Sequence, residues 1–312
     1  MSRSGLTLAA AAAAILIATP GPLLAGAVIL DLKADPLSHT RGAPALEVQG
    51  AGTDLFLHDP STPRVFPSDA PGSLLVRYDS TRPTTRAVAT LGAVYTEQDD
   101  FVFGAIVTIR PEVLEADPFG FHPITFSLIN TATTGFDRTG TLSDFRADTF
   151  DTVDVAYFPQ VSPLFGGPYL APAVFGSPIS DDAFASFTFG SVPFEIAPGA
   201  PHLITAEHDA DANRLVVSVW ALGRGGLPVP LPGGRVEVSL EGAGGFAVDA
   251  LAITAYEDGF NVFTQSGRSV RADLDYDLLF FAPGSLDESG SLPSLTGILR
   301  RSSEGAHGLN RD

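Results

Sequence analysis

Residues 202–222 read HLITAEHDADANRLVVSVWAL, and this stretch decides the fold class. Two apolar segments flank the polar run ADANR, whose Asp and Asn residues favour turns because their side chains bond to their own backbone. Successive side chains of a strand point to opposite faces. The second segment therefore has one face with Leu215, Val217 and Val219 and another with Val216, Ser218 and Trp220. We predict a β-hairpin whose second strand is covered on both faces.

The same kind of segment recurs along most of the chain. Short runs rich in β-branched and aromatic residues alternate with Gly, Pro, Asp and Asn, a pattern typical of an all-β sandwich or barrel. So many strands favour two packed antiparallel sheets. The segment 162–180, SPLFGGPYLAPAVFGSPIS, is so rich in Pro and Gly that we predict an ordered loop there. The predicted strands are residues 74–78, 101–109, 124–130, 152–158, 184–189, 202–208, 215–222, 235–240, 247–256 and 270–281.

The N-terminus has the layout of a secretory signal peptide. Arg3 precedes an apolar stretch over residues 6–18, and small residues fit cleavage after Ala27, with Ala25 as an alternative. An uncleaved membrane anchor is disfavoured, because the run Pro20-Gly21-Pro22 breaks a helix. The apolar stretch also falls short of the ~20 residues that span a bilayer. We therefore predict export, with no membrane span in the mature chain.

One domain is the simplest organisation of the mature chain. No internal repeat and no break in composition divides it. The predicted boundaries are a signal peptide over residues 1–27, a single β-sandwich domain over 28–284 and a flexible polar tail over 285–312. The sequence contains no Cys, so disulfides contribute nothing to its stability.

The charge balance limits the partners. A formal net charge of −18 disfavours binding to nucleic acid or to anionic lipid, whose phosphates attract Lys and Arg. It leaves spare carboxylates for Ca²⁺, which prefers oxygen ligands. Lys33 is the only lysine and arginines supply the rest of the Lys and Arg content, which we attribute to compositional bias.

Two late features resemble the concanavalin A-like jelly-roll superfamily of lectins, laminin-G-type modules and glycan-active enzymes. One is the hairpin of residues 202–222. The other is FAVDALAITAYEDG, at 246–259, with the closing strand RADLDYDLLFF, at 271–281. The resemblance implies a two-sheet antiparallel jelly-roll β-sandwich (concanavalin A-like) and an extracellular glycan or matrix polysaccharide as partner.

More specific stretches look like those of exported bacterial proteins, many of which carry a PEP-CTERM sorting tail. They are SLLVRYDSTRPTTRAVATLGAVYTEQDDFVFGAIVTI, INTATTGFDRTG and YFPQVSPLFGGPYLAP. The end of this chain departs from that group. Its segment LPSLTGILRR, at 292–301, is far shorter than the ~20 apolar residues of a membrane span, so we expect a released protein.

The closing strand carries the most suggestive chemistry. Asp273, Asp275 and Asp277 share one strand face if the alternation is regular. This ladder resembles the Glu-x-Asp-x-Glu motif of laminarinase-type glycosidases, in which two nearby carboxyl groups cleave a sugar bond. Aspartates stand here in place of glutamates, and little of the chain follows. We favour a solvated outer face, because charged residues are mostly exposed, over a metal site or catalysis.

Two acidic runs are candidates for calcium. The run Asp209-x-Asp211-x-Asn213 lacks the following Gly and the later Glu of an EF-hand, and its residues also suit a turn. A second cluster lies at LSDFRADTFDTVD, residues 142–154. Neighbouring arginines could instead neutralise its carboxylates. We predict Asp151, Asp154, Asp209 and Asp211 as the candidate metal ligands.

Aromatic side chains are the candidates for sugar stacking, because they combine a flat apolar face with a polar handle. Trp220, the only tryptophan, comes first, followed by Tyr157, Tyr169 and Tyr256. Core packing is the competing role for each of them.

Motifs of nucleophilic or zinc catalysis do not occur in the sequence. GAGGFA, at 242–247, matches the Gly-x-Gly-x-x-Ala fingerprint of dinucleotide binding, but it precedes a strand-like segment and not the helix that the fingerprint requires. We predict a secreted, non-catalytic protein that binds glycan or matrix, with calcium as a candidate structural ion. The alternatives are a glycoside hydrolase or polysaccharide lyase on the same fold and a purely structural exoprotein.

Overall fold

The computed structural model describes residues 27–39, 45–63, 71–115, 124–138, 146–159, 168–222, 228–257 and 271–284. The predicted signal peptide (but for Ala27) and the predicted tail lie outside these ranges. The boundaries at residues 27 and 284 therefore stay predictions. The first described strand starts at Val28, directly after the predicted cleavage position.

The protein is a two-sheet antiparallel jelly-roll β-sandwich, which confirms the predicted fold class. Sixteen strands, numbered along the chain, form two eight-stranded sheets in the described residues. Sheet A runs in the order β14 (Pro228–Ser239), β13 (Arg214–Leu222), β12 (His202–Asp209), β6 (Phe101–Glu115), β16 (Arg271–Pro283), β4 (Ser73–Asp79) and β3 (Phe56–Asp59), and β1 (Val28–Asp31) also pairs with β16.

Sheet B packs against the inner face of sheet A. Its order is β10 (Phe187–Phe189), β9 (Tyr169–Phe175), β8 (Thr152–Phe158), β7 (Ile124–Ile129), β15 (Ala247–Ala255), β5 (Thr85–Thr96) and β2 (Glu47–Gly50), and β11 (Val192–Pro193) also pairs with β9. Two 3₁₀ helices, Thr53–Leu55 and Ala183–Ser186, complete the regular structure of the described residues.

The main core lies between the two sheets and is built by alternation. Leu215, Val217 and Val219 belong to it, as predicted for the inward face of β13. Trp220 packs against a second apolar cluster, on the outer face of sheet A. Ser218, Trp220 and Leu222 on this outer face are only half-buried, so the predicted cover is confirmed for the inner face of β13 alone.

The Pro-rich segment predicted as a loop contains a strand, so that prediction is wrong over the described residues 168–180. β9 pairs with β8 along its whole length, and Pro172 lies opposite Val155. The carbonyl of Pro172 accepts a hydrogen bond from Gly190 N–H at 3.0 Å. A backbone N–H at position 172 would point to the same side, into the break between β10 and β11. No ladder hydrogen bond is required there, so proline, which lacks the N–H, is tolerated.

The last strand of the described chain is central in its sheet. β16 lies between β6 and β4, and β1 replaces β4 as its neighbour from Leu278 onward. The pairing with β6 shifts between Tyr276 and Leu278. This β-bulge inserts one residue, Asp277, and reverses the alternation after it.

Candidate functional site

Asp275 lies in a closed polar network on the outer face of sheet A. Its carboxylate accepts hydrogen bonds from Arg110 Nε at 2.7 Å, Arg110 Nη2 at 2.6 Å and Ser73 Oγ at 2.6 Å. Arg110 also donates to Asp59 at 2.6 Å. Because Asp275 is buried, its oxygens are committed to protein donors and offer no approach to a sugar.

Asp277 is buried without such partners. Its side chain is 0% exposed, and none of the described residues donates a hydrogen bond to either carboxylate oxygen. Burial raises its pKa to about 7. The charge of Lys33 opposes this shift, and Asp275 and Asp31 add to it.

The prediction that the ladder faces solvent is wrong for two of its three members. Only Asp273 is partly exposed, whereas Asp275 and Asp277 are buried. The predicted glycosidase geometry needs two accessible carboxyl groups at one sugar bond. The structure provides one carboxylate held by Arg110 and one without access to water.

Asp154 faces outward from sheet B and is paired with an arginine. Arg138 donates to one of its oxygens in a buried ion pair, and the guanidinium lies 5.1 Å from the ring centre of Tyr256 and 5.7 Å from that of Phe175. Burial raises the pKa of Asp154, with the charge of Arg138 opposing the shift. The site is an ion pair against aromatic rings, which matches the alternative expected for this acidic cluster.

Asp151 organises backbone rather than a metal. Its carboxylate accepts hydrogen bonds from Thr133 Oγ1 at 2.5 Å, Ser177 Oγ at 2.6 Å and Ala247 N–H at 2.9 Å. Its backbone has φ +50°, a left-handed conformation that Asp tolerates. These bonds attach the entry to β8 to three neighbouring segments.

The Asp209-x-Asp211 run forms the turn of the β12–β13 hairpin. Asp209 accepts a hydrogen bond from Ala212 N–H at 3.0 Å and pairs with Arg214, and Asn213 has φ +49°. Across the described residues, no group of three His, Cys, Asp or Glu side chains is placed to hold a metal ion. The predicted ligands Asp151, Asp154, Asp209 and Asp211 therefore do not form a common metal site in the described part of the chain.

The predicted stacking residues are mostly enclosed. Tyr157 and Tyr256 are buried, and the hydroxyl oxygen of Tyr157 accepts a hydrogen bond from Ile196 N–H in the core at 2.8 Å. Tyr169 is half-buried and stacks on Phe158 with ring centres 4.4 Å apart. Burial raises its pKa to about 12. Trp220 is half-buried, and its indole Nε1 donates to Thr205 at 3.0 Å.

The exposed aromatic surface lies elsewhere, at the β10 edge of sheet B. Phe184, Phe187 and Phe189, which we call the aromatic edge, form a contiguous row: the ring centres of Phe184 and Phe187 are 5.5 Å apart, and those of Phe187 and Phe189 are 5.6 Å apart. Phe184 is 42% and Phe189 62% exposed. Together with Ile179, three of the six exposed large apolar side chains of the described chain fall in residues 179–189.

Regular structure holds these rings outward. Phe187 pairs with Phe175 and Phe189 with Ala173, both on the outer side of β9. Thr188, between them, points the other way and donates to Ser239 O of β14 at 3.0 Å. Asp182 caps the 3₁₀ helix by accepting a hydrogen bond from Phe184 N–H at 3.0 Å. The rings therefore form a pre-ordered surface.

The rim of the aromatic edge is polar. Asp181, one residue before the cap, forms an exposed ion pair with Arg146. Behind the rings, Phe175 contacts Phe187 with ring centres 4.6 Å apart and also neighbours the Arg138–Asp154 pair. Apolar ring faces beside charged donors and acceptors can bind a molecule with one apolar face and several hydroxyls.

The aromatic edge was not among the predicted sites, although 184–189 was predicted as a strand. A signal was present: in FASFTF, Phe187 and Phe189 alternate around a polar Thr, which places both rings on one face. Phenylalanine lacks the polar handle that makes Trp and Tyr the usual candidates for sugar stacking.

Neither a protein-family model nor a curated protein matches this chain. Among solved structures, peanut lectin with a nine-residue peptide is similar at 10% identity and a TM-score of 0.43, covering 83% of this chain and 97% of the lectin. Basic winged bean lectin with Tn-antigen has 11% identity and a TM-score of 0.44, covering 83% and 100%. Lectin I from Ulex europaeus with the methyl glycoside of α-L-fucose has 12% identity and a TM-score of 0.44, covering 83% and 98%.

Within the described ranges, no helix has both the length and the apolar character needed to cross a bilayer.

Proposed function

We propose that this protein is a secreted, non-catalytic glycan-binding protein and that the aromatic edge is its sugar-contacting surface. The observation that carries the proposal is the row of Phe184, Phe187 and Phe189. Phe184 and Phe189 are exposed, and the β9–β10 ladder fixes Phe187 and Phe189. Contiguous exposed apolar patches on soluble proteins mark interaction sites. Phenyl rings backed by a sheet lose little conformational entropy on binding, which favours stacking against the apolar face of a pyranose.

The acidic surface supports an uncharged partner over a polyanion. A net charge of −18 repels nucleic acid and anionic lipid, whereas a neutral polysaccharide is insensitive to it. The Arg146–Asp181 pair at the rim supplies both donors and acceptors, the combination that sugar hydroxyls require.

Secretion is part of the proposal. The predicted cleavage after Ala27 would leave Val28 as the first residue, and β1 starts at that residue. Removal of the signal peptide would thus keep every described strand intact.

A glycan array tests the proposal, with the intact protein and with Phe189→Ala. We expect specific binding to at least one neutral glycan and its loss in the variant. Val94→Ala is the matched control, because Val94 is also an exposed apolar residue, in β5 outside the aromatic edge. Absence of binding to every glycan would refute the proposal, and equal loss in both variants would refute the assignment of the surface. A parallel array with chelator tests whether calcium contributes.

The enzyme alternative receives no support from the carboxylate ladder. Asp275 is bound by Arg110, and Asp277 is enclosed. A hydrolase that used this ladder would require at least one of these two carboxyl groups to reach a glycosidic oxygen.

A further inference from the structure

Asp277 lies where β16 changes its neighbour. β4 pairs with β16 as far as Tyr276, and β1 pairs with it from Leu278. The carbonyl of Asp277 accepts a hydrogen bond from Leu32 N–H at 3.0 Å, directly after β1. The inserted residue of the bulge is therefore attached to the segment that leaves β1.

The side chains around this junction carry several charges. Asp31 pairs with Leu278, whose side chain lies on the outer face, and Leu32 lies in the main core. Lys33 follows in the turn after β1 and is buried. The charges that act on Asp277 are those of Asp31 and Lys33 from the β1 side and Asp275 from β16.

The neighbouring strands add further titratable groups. On β6, Arg110 is bound to Asp275. On β3, Asp59 pairs with Arg110, and a ring nitrogen of His58 lies 2.9 Å from the carbonyl oxygen of Lys33.

We propose that Asp277 is a proton-binding site that controls the docking of β1: the protonated carboxyl holds the segment in place and the ionised form releases it. A neutral carboxyl can remain in a dry site, but an ionised one without hydrogen-bond donors is costly there. Release of β1 would return the carboxylate to water. β1 can be given up without loss of the rest of the sheet, because it has four residues and pairs with β16 alone in the described structure.

The direction of the effect follows from linkage. The pKa of Asp277 is about 7 with β1 docked, against an ordinary value of 3.8 once it meets water. The docked form is therefore favoured at low pH. The opening equilibrium rises about tenfold per pH unit between pH 5 and 7 and levels off above that, as expected for one group.

Lys33 provides a selective readout. It is the only lysine of the chain and is buried in the docked state. A lysine-specific endoprotease can therefore cut the full chain at one position only, next to the segment that opens. The cleavage rate, divided by the rate on an unstructured peptide with the same local sequence, reports the opening equilibrium when reclosing is fast.

We expect the normalised cleavage rate to rise at least tenfold from pH 5.5 to 7.5 in the wild-type chain and to stay flat in Asp277→Asn, whose side chain is neutral throughout. Asp211→Asn, in the exposed β12–β13 turn, is the matched control and should follow the wild type. A flat wild-type profile, or the same rise in Asp277→Asn, would overturn the proposal.

A second measurement separates local opening from global unfolding. Low concentrations of urea accelerate cleavage that requires global unfolding, in proportion to the surface exposed, but barely affect the opening of one short strand. We expect cleavage at Lys33 to be nearly independent of urea well below the unfolding transition. A rate that follows the global unfolding curve would refute control of β1 in particular.

Discussion

Arg110 should be one of the most stabilising polar residues of the protein. It donates two hydrogen bonds to Asp275 at 2.7 and 2.6 Å and one to Asp59 at 2.6 Å. Replacement by Leu, which keeps part of the apolar stem, leaves Asp275 with Ser73 as its one remaining close donor, at 2.6 Å. Because Asp275 is 4% exposed, water cannot replace the lost bonds.

The magnitude follows from that burial. Removal of one partner from a buried ion pair costs about 3–5 kcal/mol, mostly because a charge stays buried without compensation. The side chain of Arg110 is itself 26% exposed, so we expect the lower end, about 3 kcal/mol at pH 7. The matched control is Arg82→Leu, which removes an exposed pair with Asp54 at the same N to O distance of 2.6 Å and should cost far less, because water screens exposed charges.

Urea denaturation followed by circular dichroism measures both variants under identical conditions. We expect the midpoint of Arg110→Leu to fall well below that of Arg82→Leu, with similar slopes. Equal losses in the two variants would refute the argument that burial, rather than hydrogen-bond length, determines the contribution of these pairs.

Three further predictions concern other parts of the molecule. The free energy of unfolding of the wild type, measured relative to that of Asp277→Asn, should fall by ~4 kcal/mol between pH 4 and 8. The reason is that the pKa of Asp277 is raised from 3.8 to about 7 in the fold, so stability that is present at low pH is lost as the carboxyl ionises. A difference that does not change with pH would contradict the enclosed site. Gly104→Ala should lower the free energy of unfolding by about 3 kcal/mol, because the new Cβ would lie 2.5 Å from Ile204 O and 2.8 Å from the Phe280 ring. The control Gly242→Ala, whose Cβ would lie 3.5 Å from its nearest neighbour, should lower it by under ~1 kcal/mol. Comparable melting temperatures of the two variants would contradict the packing. Chelation should leave the melting temperature unchanged, since the described carboxylates form no metal cluster, and a fall would restore calcium as a structural ion.

The strands with bulky, alternating side chains were predictable from the sequence. β8 was predicted at its observed bounds, and β4, β7 and β12 within one residue at each end. Burial of Val, Ile and Phe on one face determines these segments, and that information is local.

The strands that were missed depend on partners distant in sequence. β5 contains Gly92 with φ +76°, and its register with β15 shifts beside that residue, so its alternation is broken. β9 tolerates Pro172 because of the break between β10 and β11, which no local pattern reveals. The four-residue strands β1, β2 and β3 are too short for a periodic signal.

For the candidate sites too, features set by local sequence were predictable and features set by distant partners were not. Alternation correctly placed Trp220 opposite the core face of β13, and the hairpin turn accounted for Asp209. The solvent exposure of the ladder was mispredicted because it depends on which side chains cover the outer face of β16, and this is not encoded in a run of alternating aspartates. The buried partners of Asp275 come from β4 and β6, far away in the chain.

The most direct test of the central claim is calorimetric titration of the best glycan from the array into wild type, Phe184→Ala/Phe189→Ala and Val94→Ala. Truncation of a ring that contributes to binding costs about 1–2 kcal/mol, and each 1.4 kcal/mol is a factor of ten. We predict that the double variant binds at least ~30-fold more weakly while the Val94→Ala protein binds like the wild type. Unchanged affinity in the double variant would contradict the assignment of glycan binding to the aromatic edge.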